Sequence, residues 1–207
     1  MRIPPSAGSA SGVLPNPVGY NRVYVYCGKN LSWDTWWEGL REGKSFVTNG
    51  RLLRCTANGE IPGHVFNKGA GKSITLRLEA KITSRDPIAK IEIIRNGNVE
   101  RTVSFADWEK SGSLGELTFS ESGWFLVRAI TDNAKTFRFA STAPFYVEIG
   151  EDKSRISRAS AQYFLDWVRE RMKRIKTDEP SQLDEVLKPH LKAEEFWRKR
   201  VEAANAE

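Results

Sequence analysis

The sequence predicts a mainly β chain of the α+β class, with an antiparallel β-sandwich between an N-terminal strand–helix–strand segment and a C-terminal helical tail. Strand-like runs separated by turn residues recur through residues 56–150. Apolar residues recur at helical spacing after residue 157, and a tryptophan-rich helical pattern follows a strand-like run near the N-terminus. We therefore predict three segments, with boundaries at 1–55, 56–150 and 151–207.

The first segment is predicted as two strands joined by a helix. Residues 22–26 are β-branched and aromatic, as is typical of a strand. Ser32 is a suitable N-cap, and Gly43 ends a helix whose apolar face carries tryptophans at spacings of three and four. Ser45 begins a second strand, and a unit of this kind favours parallel pairing of its strands. Such a small unit needs other sequence to pack against.

The second segment carries the sandwich signals. Residues 74–82 alternate apolar and polar side chains almost without fault. Asn96 and Gly97 separate two strand-like runs and form the strongest short-range hairpin signal. The run 121–129 resembles the late core strand of an immunoglobulin-like sandwich, where a Gly-aromatic pair enters the sheet, so we expect Trp124 in the core. The predicted fold is therefore an immunoglobulin-like antiparallel β-sandwich.

The third segment is predicted to be helical. Ser157 is a plausible N-cap for an amphipathic helix over residues 157–176. Pro180 fits the first turn of a second helix that runs to about Leu187. Pro189 either breaks that helix or begins a third one that runs to about residue 204. We expect the aromatic-rich helices to pack on the rest of the chain.

Composition limits the possible partners. The 207 residues carry a net charge of +6 without a run of five like charges, so we expect no nucleic-acid partner. No apolar stretch reaches the ~18 residues of a membrane span, and the N-terminus has no signal-peptide pattern, so we expect no membrane partner. Cys27 and Cys55 are expected to be free thiols, and a bridge between them stays open as the alternative.

No local catalytic motif is present in the sequence, and a Ser–His–Asp triad, whose members are distant in sequence, stays open as an alternative. The two histidines, His64 and His190, have no other histidine or cysteine at metal-ligand spacing, and His190 is expected at a helix start. The nucleophile-elbow pattern Gly-x-Ser-x-Gly is absent. Residues 69–73 resemble a phosphate-binding loop only superficially, since a strand follows them. We assign no catalytic residue.

Two residues are candidates for ligand binding. Trp108 follows a predicted strand and is the tryptophan that we expect as an exposed stacking platform, for example for a sugar ring. His64 lies in a Pro-Gly-His loop and could line a pocket, or be an ordinary surface residue. The tryptophans on predicted helices are expected to be buried in a core or an interface: Trp33, Trp36, Trp37, Trp167 and Trp197.

The first segment resembles the closing segment of the polymerase-and-histidinol-phosphatase-like (PHP-like) barrels, specifically of the CehA/McbA family of metallohydrolases. The resemblance lies in the strand at residues 22–26, an aromatic–Leu–Gly helix, and a strand ending in Thr-Asn-Gly at residues 48–50. The matching helix residues are Trp37, Leu40 and Gly43. It covers residues 1 to about 60 and extends more loosely over the sandwich and tail. It implies an N-terminal remnant of a PHP-like barrel.

The resemblance also implies a lost metal site. These barrels carry a Gly-Ser-Asp-x-His ligand motif, and here Ala10 stands at the Asp position and Gly12 at the His position. We therefore expect no metal ligand, no cofactor and no enzymatic activity of this chain alone. The implied function is a non-catalytic C-terminal accessory domain whose partner is the upstream barrel, with a homodimer through the aromatic helices as a further expectation. The alternatives are a carbohydrate- or ligand-binding sandwich and a residual metal-dependent hydrolase.

Overall fold

The computed structural model describes residues 2–9, 18–151, 155–177 and 179–207, which contain eleven strands and four helices. The chain divides into two compact units, Met1–Lys153 and Ser154–Glu207. In chain order the elements of the first unit are β1 (Arg22–Val25), α1 (Trp33–Arg41), β2 (Ser45–Thr48), β3 (Leu52–Ala57), β4 (Val65–Lys68), β5 (Ile74–Thr83), β6 (Ile88–Arg95), β7 (Asn98–Val103), α2 (Phe105–Ser111), β8 (Ser113–Phe119), β9 (Gly123–Thr131), β10 (Phe139–Thr142) and β11 (Phe145–Ile149). The elements of the second unit are α3 (Arg158–Arg174) and α4 (Pro180–Glu202).

The smaller sheet contains three antiparallel strands in the order β3-β5-β8. In β5 the buried residues Leu76, Leu78 and Ala80 alternate with exposed polar ones, as the sequence pattern predicted. This alternation fixes the register, because a slip by one residue would turn the whole apolar set toward solvent.

The larger sheet is built around β9. One edge of β9 pairs with β6, and the other pairs with β10 and β11 in succession. Beyond them, β10 pairs with β2, and β2 in turn pairs with β1. On the other side, β11 pairs in parallel with β4. β6 and β7 form the predicted hairpin, in which Asn96 and Gly97 both have positive φ angles of 50° and 97°.

The core lies between the two sheets. Phe125 of β9 stacks on Phe145 of β11 with ring centroids 4.8 Å apart, and it contacts Phe119 of the small sheet at 5.8 Å. All three rings are fully buried. Leu53 and Leu76 join them from the smaller sheet. Three strands packed on a larger sheet in this way form an immunoglobulin-like β-sandwich, so the predicted sandwich is confirmed.

The predicted parallel pairing in the first segment is wrong. β1 and β2 are antiparallel, with Val23 opposite Val47. The reason is that β2 also pairs antiparallel with β10, where the Thr48 hydroxyl donates to the carbonyl of Phe139. At Gly39 of α1, an added Cβ would lie 2.9 Å from the carbonyl oxygen of Tyr26. The helix therefore lies close to the end of β1, and β2 returns antiparallel beside β1. The predicted boundary at residue 55 falls inside β3, and β2 shares a sheet with the sandwich strands.

The prediction that Trp124 belongs to the core is also wrong. In β9 the buried positions are the odd-numbered ones from Gly123 to Thr131, so Phe125 points into the core. Trp124 lies on the opposite face of the sheet and is only partly buried. Because a β-strand alternates its faces, the adjacent aromatic residue took the core position.

The second unit is a pair of helices. Ser157 caps α3 as predicted, since its side chain accepts a hydrogen bond from the amide of Ser160. Arg158 donates its amide to the carbonyl of Ala206, so the start of α3 lies beside the end of α4. α4 is continuous through Pro189, which therefore begins no third helix. His190 lies inside α4 rather than at a helix start, with Nδ1 2.9 Å from the carbonyl oxygen of Val186.

A buried carboxylate gives the sandwich a testable dependence on pH. Glu92 of β6 is almost fully buried and bonds to Arg128 at 2.6 Å and Lys90 at 2.6 Å. Burial alone would raise the pKa of Glu92, but the hydrogen bonds and charges of the two cations outweigh burial and lower it. A lowered folded-state pKa means that this stabilisation is present above about pH 4.5 and is lost as the pH falls through the folded value.

We expect Glu92→Gln to lower the free energy of unfolding by about 2 kcal/mol at neutral pH, because two cations lose a charged partner. Denaturant unfolding from pH 7 to pH 3 should show this difference shrinking toward zero. Glu100→Gln is the matched control, since Glu100 forms only a surface ion pair at 3.6 Å. A difference that stays constant down to pH 3 would contradict the assignment.

Candidate functional site

Trp108 lies on the short helix α2, between β7 and β8. Ser104 caps the helix by accepting a hydrogen bond from the amide of Asp107, and Gly112 ends it in the left-handed conformation. The hydroxyl of Ser104 also donates to the carboxylate of Asp107, which lowers the pKa of Asp107, with a smaller contribution from Lys110. A residue that the sequence placed after a strand is therefore held on a capped helical turn.

The indole of Trp108 is held by a hydrogen bond and by a neighbouring aromatic ring. Its Nε1 donates to the carbonyl oxygen of Ala80 at 3.0 Å, and its ring lies 5.5 Å from that of Phe105. The side chain is partly buried and packs against the sandwich core. It is thus not the freely exposed platform that the sequence suggested, although part of its surface faces a groove.

The groove beside Trp108 has a volume of about 660 Å³, which is within the range of small-molecule sites. It runs between the end of β5, the start of β6 and helix α2. Its walls combine apolar side chains with charged ones at the rim: Ile82, Pro87, Ile88, Phe105, Trp108, Lys81, Arg85, Asp86 and Glu109. Such a surface can hold a ligand by stacking and by polar contacts at its edge.

His64 lies in a different and smaller groove of about 300 Å³. Its Nδ1 is 3.2 Å from a carboxylate oxygen of Glu60, and its ring packs against Phe66 with centroids 4.6 Å apart. Tyr146 lines the same groove; burial raises the pKa of its hydroxyl, and the nearby Arg2 acts in the opposite direction. Two of the cations that line this groove already have acidic partners, since Arg2 pairs with Glu148 and Lys44 with Glu42.

The structure does not bring the two candidate residues together. The linings of the two grooves have no residue in common, so Trp108 and His64 cannot serve one site. A role for either residue in binding therefore stays a prediction.

Sequence analysis missed a buried arginine beside the Trp108 groove. Arg51 is almost fully buried; its Nε donates to the hydroxyl of Ser84 at 3.3 Å and its Nη1 to the carbonyl of Arg138 at 3.4 Å. Burial lowers its pKa, Asp86 acts in the opposite direction, and the charge of Arg138 lowers it further. The guanidinium thereby ties together three loops. The one sequence signal was a charged residue directly after the Thr-Asn-Gly turn.

Both cysteines are free, as expected. Cys55 is fully buried in β3, and burial raises the pKa of its thiol to about 12, so it stays protonated and unreactive at neutral pH. Cys27 is partly buried in the loop after β1.

The described residues hold no obvious metal centre. Within residues 2–9, 18–151, 155–177 and 179–207, no three histidine, cysteine or acidic side chains converge to hold an ion. Ala10 and Gly12, which the resemblance places at ligand positions, lie outside the described residues. No helix in the described ranges combines the length and apolar character that crossing a bilayer requires.

Comparisons with known proteins found similarity in structure alone. No family model and no curated protein matches the chain. Fibronectin(III)-like modules of Clostridium thermocellum CbhA match with 13% identity and a TM-score of 0.31, over 48% of this chain and all of theirs. The CARDB domain of the PF1109 protein from Pyrococcus furiosus, solved in complex with di-metal ions, matches with 18% identity and a TM-score of 0.27, over 49% of this chain and 94% of that domain. Matches at this level assign neither a ligand nor an activity.

Proposed function

We propose that this chain is a non-catalytic accessory domain of a PHP-like metal-dependent hydrolase-family protein, which packs on the upstream barrel or mediates dimerisation. The observation that carries the proposal is the edge of the larger sheet at β1. There an open strand and a group of exposed apolar side chains occur together, in the segment whose sequence resembles the end of such a barrel.

β1 is a terminal strand whose outer edge has no strand partner among the described residues. The amide of Tyr26 donates to the carbonyl of Lys44 at 2.8 Å, so the main-chain groups of Tyr24 and Tyr26 point toward β2. Because neighbouring residues alternate, the main-chain groups of Val23 and Val25 point outward. The carbonyl of Val25 accepts a contact from the Cys27 thiol at 3.6 Å, whereas the amides of both valines are available to a further strand.

Large apolar side chains are exposed in the segment that follows this strand. Trp33, at the start of α1, is 76% exposed, and Leu31 and Tyr26 are also exposed. Proteins normally protect a free strand edge with charges, prolines or a covering element, and exposed apolar groups usually mark an interaction site. An open edge combined with exposed apolar residues supports packing against another sheet, as the closing strand of a barrel would require.

Amide hydrogen exchange tests this edge. In the dilute isolated chain we expect Val23 and Val25 to exchange quickly and Tyr24 and Tyr26 to be protected, because only the second pair bonds to β2. In a protein that includes the barrel, all four amides should be protected. Protection of Val23 and Val25 in the dilute chain, or their fast exchange in the barrel-containing protein, would contradict the proposal.

Metal content and turnover test the non-catalytic part of the proposal against the residual-hydrolase alternative. We expect far less than one metal ion per chain after growth with zinc, manganese and iron, and no hydrolysis of phosphoester, carbamate or amide substrates. Plasma mass spectrometry gives the first value. A content near one ion per chain that survives mild chelation, with measurable turnover, would favour the hydrolase.

A second candidate function is ligand binding in the Trp108 groove, and the indole exposed to a cavity of about 660 Å³ is the observation that favours it. Trp108→Phe keeps a ring but loses the bond to Ala80, so we expect it to lower stability by about 1 kcal/mol. Trp108→Ala should lower stability by about 3 kcal/mol and abolish glycan binding detected by calorimetry. Glycan binding that survives in a folded Trp108→Ala variant would exclude this site.

A further inference from the structure

The helical unit presents a continuous aromatic surface. Five rings on α3 and α4 form a chain of contacts, with the Phe164 and Trp197 rings stacked at 4.6 Å as the link between the helices. We call this surface the aromatic patch, and its members are Tyr163, Phe164, Trp167, Phe196 and Trp197. Tyr163 and Trp167 are one helical turn apart and therefore lie on the same face of α3.

Most of this patch faces solvent. Tyr163 is 64% exposed, Trp167 60% and Phe196 50%. In contrast, Ala161 and Leu165 are the buried apolar residues of the described part of this unit. Two helices with so small a core gain little stability from their own packing, so the aromatic face is the main apolar surface that they have left to bury.

We infer that the aromatic patch is a self-association surface, on which a second copy of this chain docks helix pair against helix pair. This inference rests on the dimerisation part of the proposed function and assigns it to particular residues. A two-fold axis through the patch places the rings of one protomer against those of its partner, and the result is a four-helix arrangement.

The area of the aromatic patch fits the docking of a second copy of the chain. At about 200 Å² per aromatic side chain, the exposed fractions leave roughly 400 Å² of aromatic surface on each protomer. A stable interface buries about 800 Å² per partner, so the rings supply about half of it and the flanking helix surface the remainder. Aromatic and arginine residues are also the types enriched in the centres of interfaces, and Arg200 lies over Phe196 at 5.2 Å.

The charges around the patch do not oppose a second copy. Arg169 of α3 bonds to Glu194 of α4 at 2.7 Å, and Lys199 bonds to Glu195 at 2.8 Å. Arg169 and Lys199 therefore each have an acidic partner on their own protomer. The guanidinium of Arg200 instead lies over the Phe196 ring, so the charge that two identical patches bring together is limited to this cation.

Sedimentation equilibrium of the full chain tests the inference. We expect the mass of the wild-type chain to rise from 23.4 kDa toward twice that value as its concentration increases. The double variant Tyr163→Gln, Trp167→Gln should raise the dissociation constant about a hundredfold, because two central aromatic anchors are lost. Glutamine is a good helix former, so circular dichroism should show unchanged helix content.

Phe137→Gln is the matched control, since it removes an equally exposed ring from the first unit and should leave the dissociation constant unchanged. A wild-type chain that stays monomeric at every concentration would overturn the inference, as would a double variant that associates as tightly as the wild type. Monomeric binding to phosphatidylcholine–phosphatidylserine vesicles that the double variant loses would also overturn it, because a lipid surface would then be the occupant. Hydrogen exchange keeps this test separate from the barrel-packing proposal. If the amides of Val23 and Val25 exchange quickly in both the wild type and the double variant, the β1 edge is unchanged, and the association result concerns the aromatic patch alone.

Discussion

Strand β9 is the element on which the first unit depends, because both of its edges and one of its faces are fully used. β6 bonds along one edge, and β10 and β11 share the other. On the inner face, Phe125, Val127 and Ala129 are completely buried. Through Phe125 the strand also reaches across to the small sheet at Phe119. Among the described strands, β2 joins the sheet through β10 and β1 joins it through β2, so the position of the proposed barrel-packing edge is set by this central strand.

The parts of this fold that sequence could predict are those set by neighbouring residues. The alternation in β5, the turn at Asn96 and the N-caps at Ser32 and Ser157 all follow from contacts within a few residues, and the structure has each of them. The direction of β2 does not follow in this way. It is held by contacts about ninety residues away, where Thr48 donates to the carbonyl of Phe139 and the Asn49 side chain bonds to the main chain of Phe137 and Phe139. A local strand–helix–strand pattern contains no information about that partner.

The candidate site was predictable to a similar degree. Trp108 was identified because it does not belong to a regular apolar pattern. Its hydrogen bond to Ala80 depends on helix α2, which has seven residues and too weak a pattern to be predicted from sequence. The buried state of Arg51 depends on three loops meeting, and no local rule predicts that a guanidinium will be taken out of water. The error at Trp124 had another cause. Periodicity shows that a strand has two faces, but with aromatic residues at both 124 and 125 it does not show which face is the core.

The tryptophans on the helices show the same limit of sequence patterns. Their spacing correctly indicates apolar helix faces, yet Trp33 and Trp167 are largely exposed in this chain. An amphipathic pattern indicates that one face of a helix is apolar, but it does not indicate which part of the chain or which partner covers that face. Exposed aromatic clusters on a well-packed chain are costly to keep in water unless a partner covers them for part of the time. Because the β1 edge and the aromatic patch share no residue, packing on a barrel and pairing with a second copy require different side chains. One can therefore be disrupted without the other.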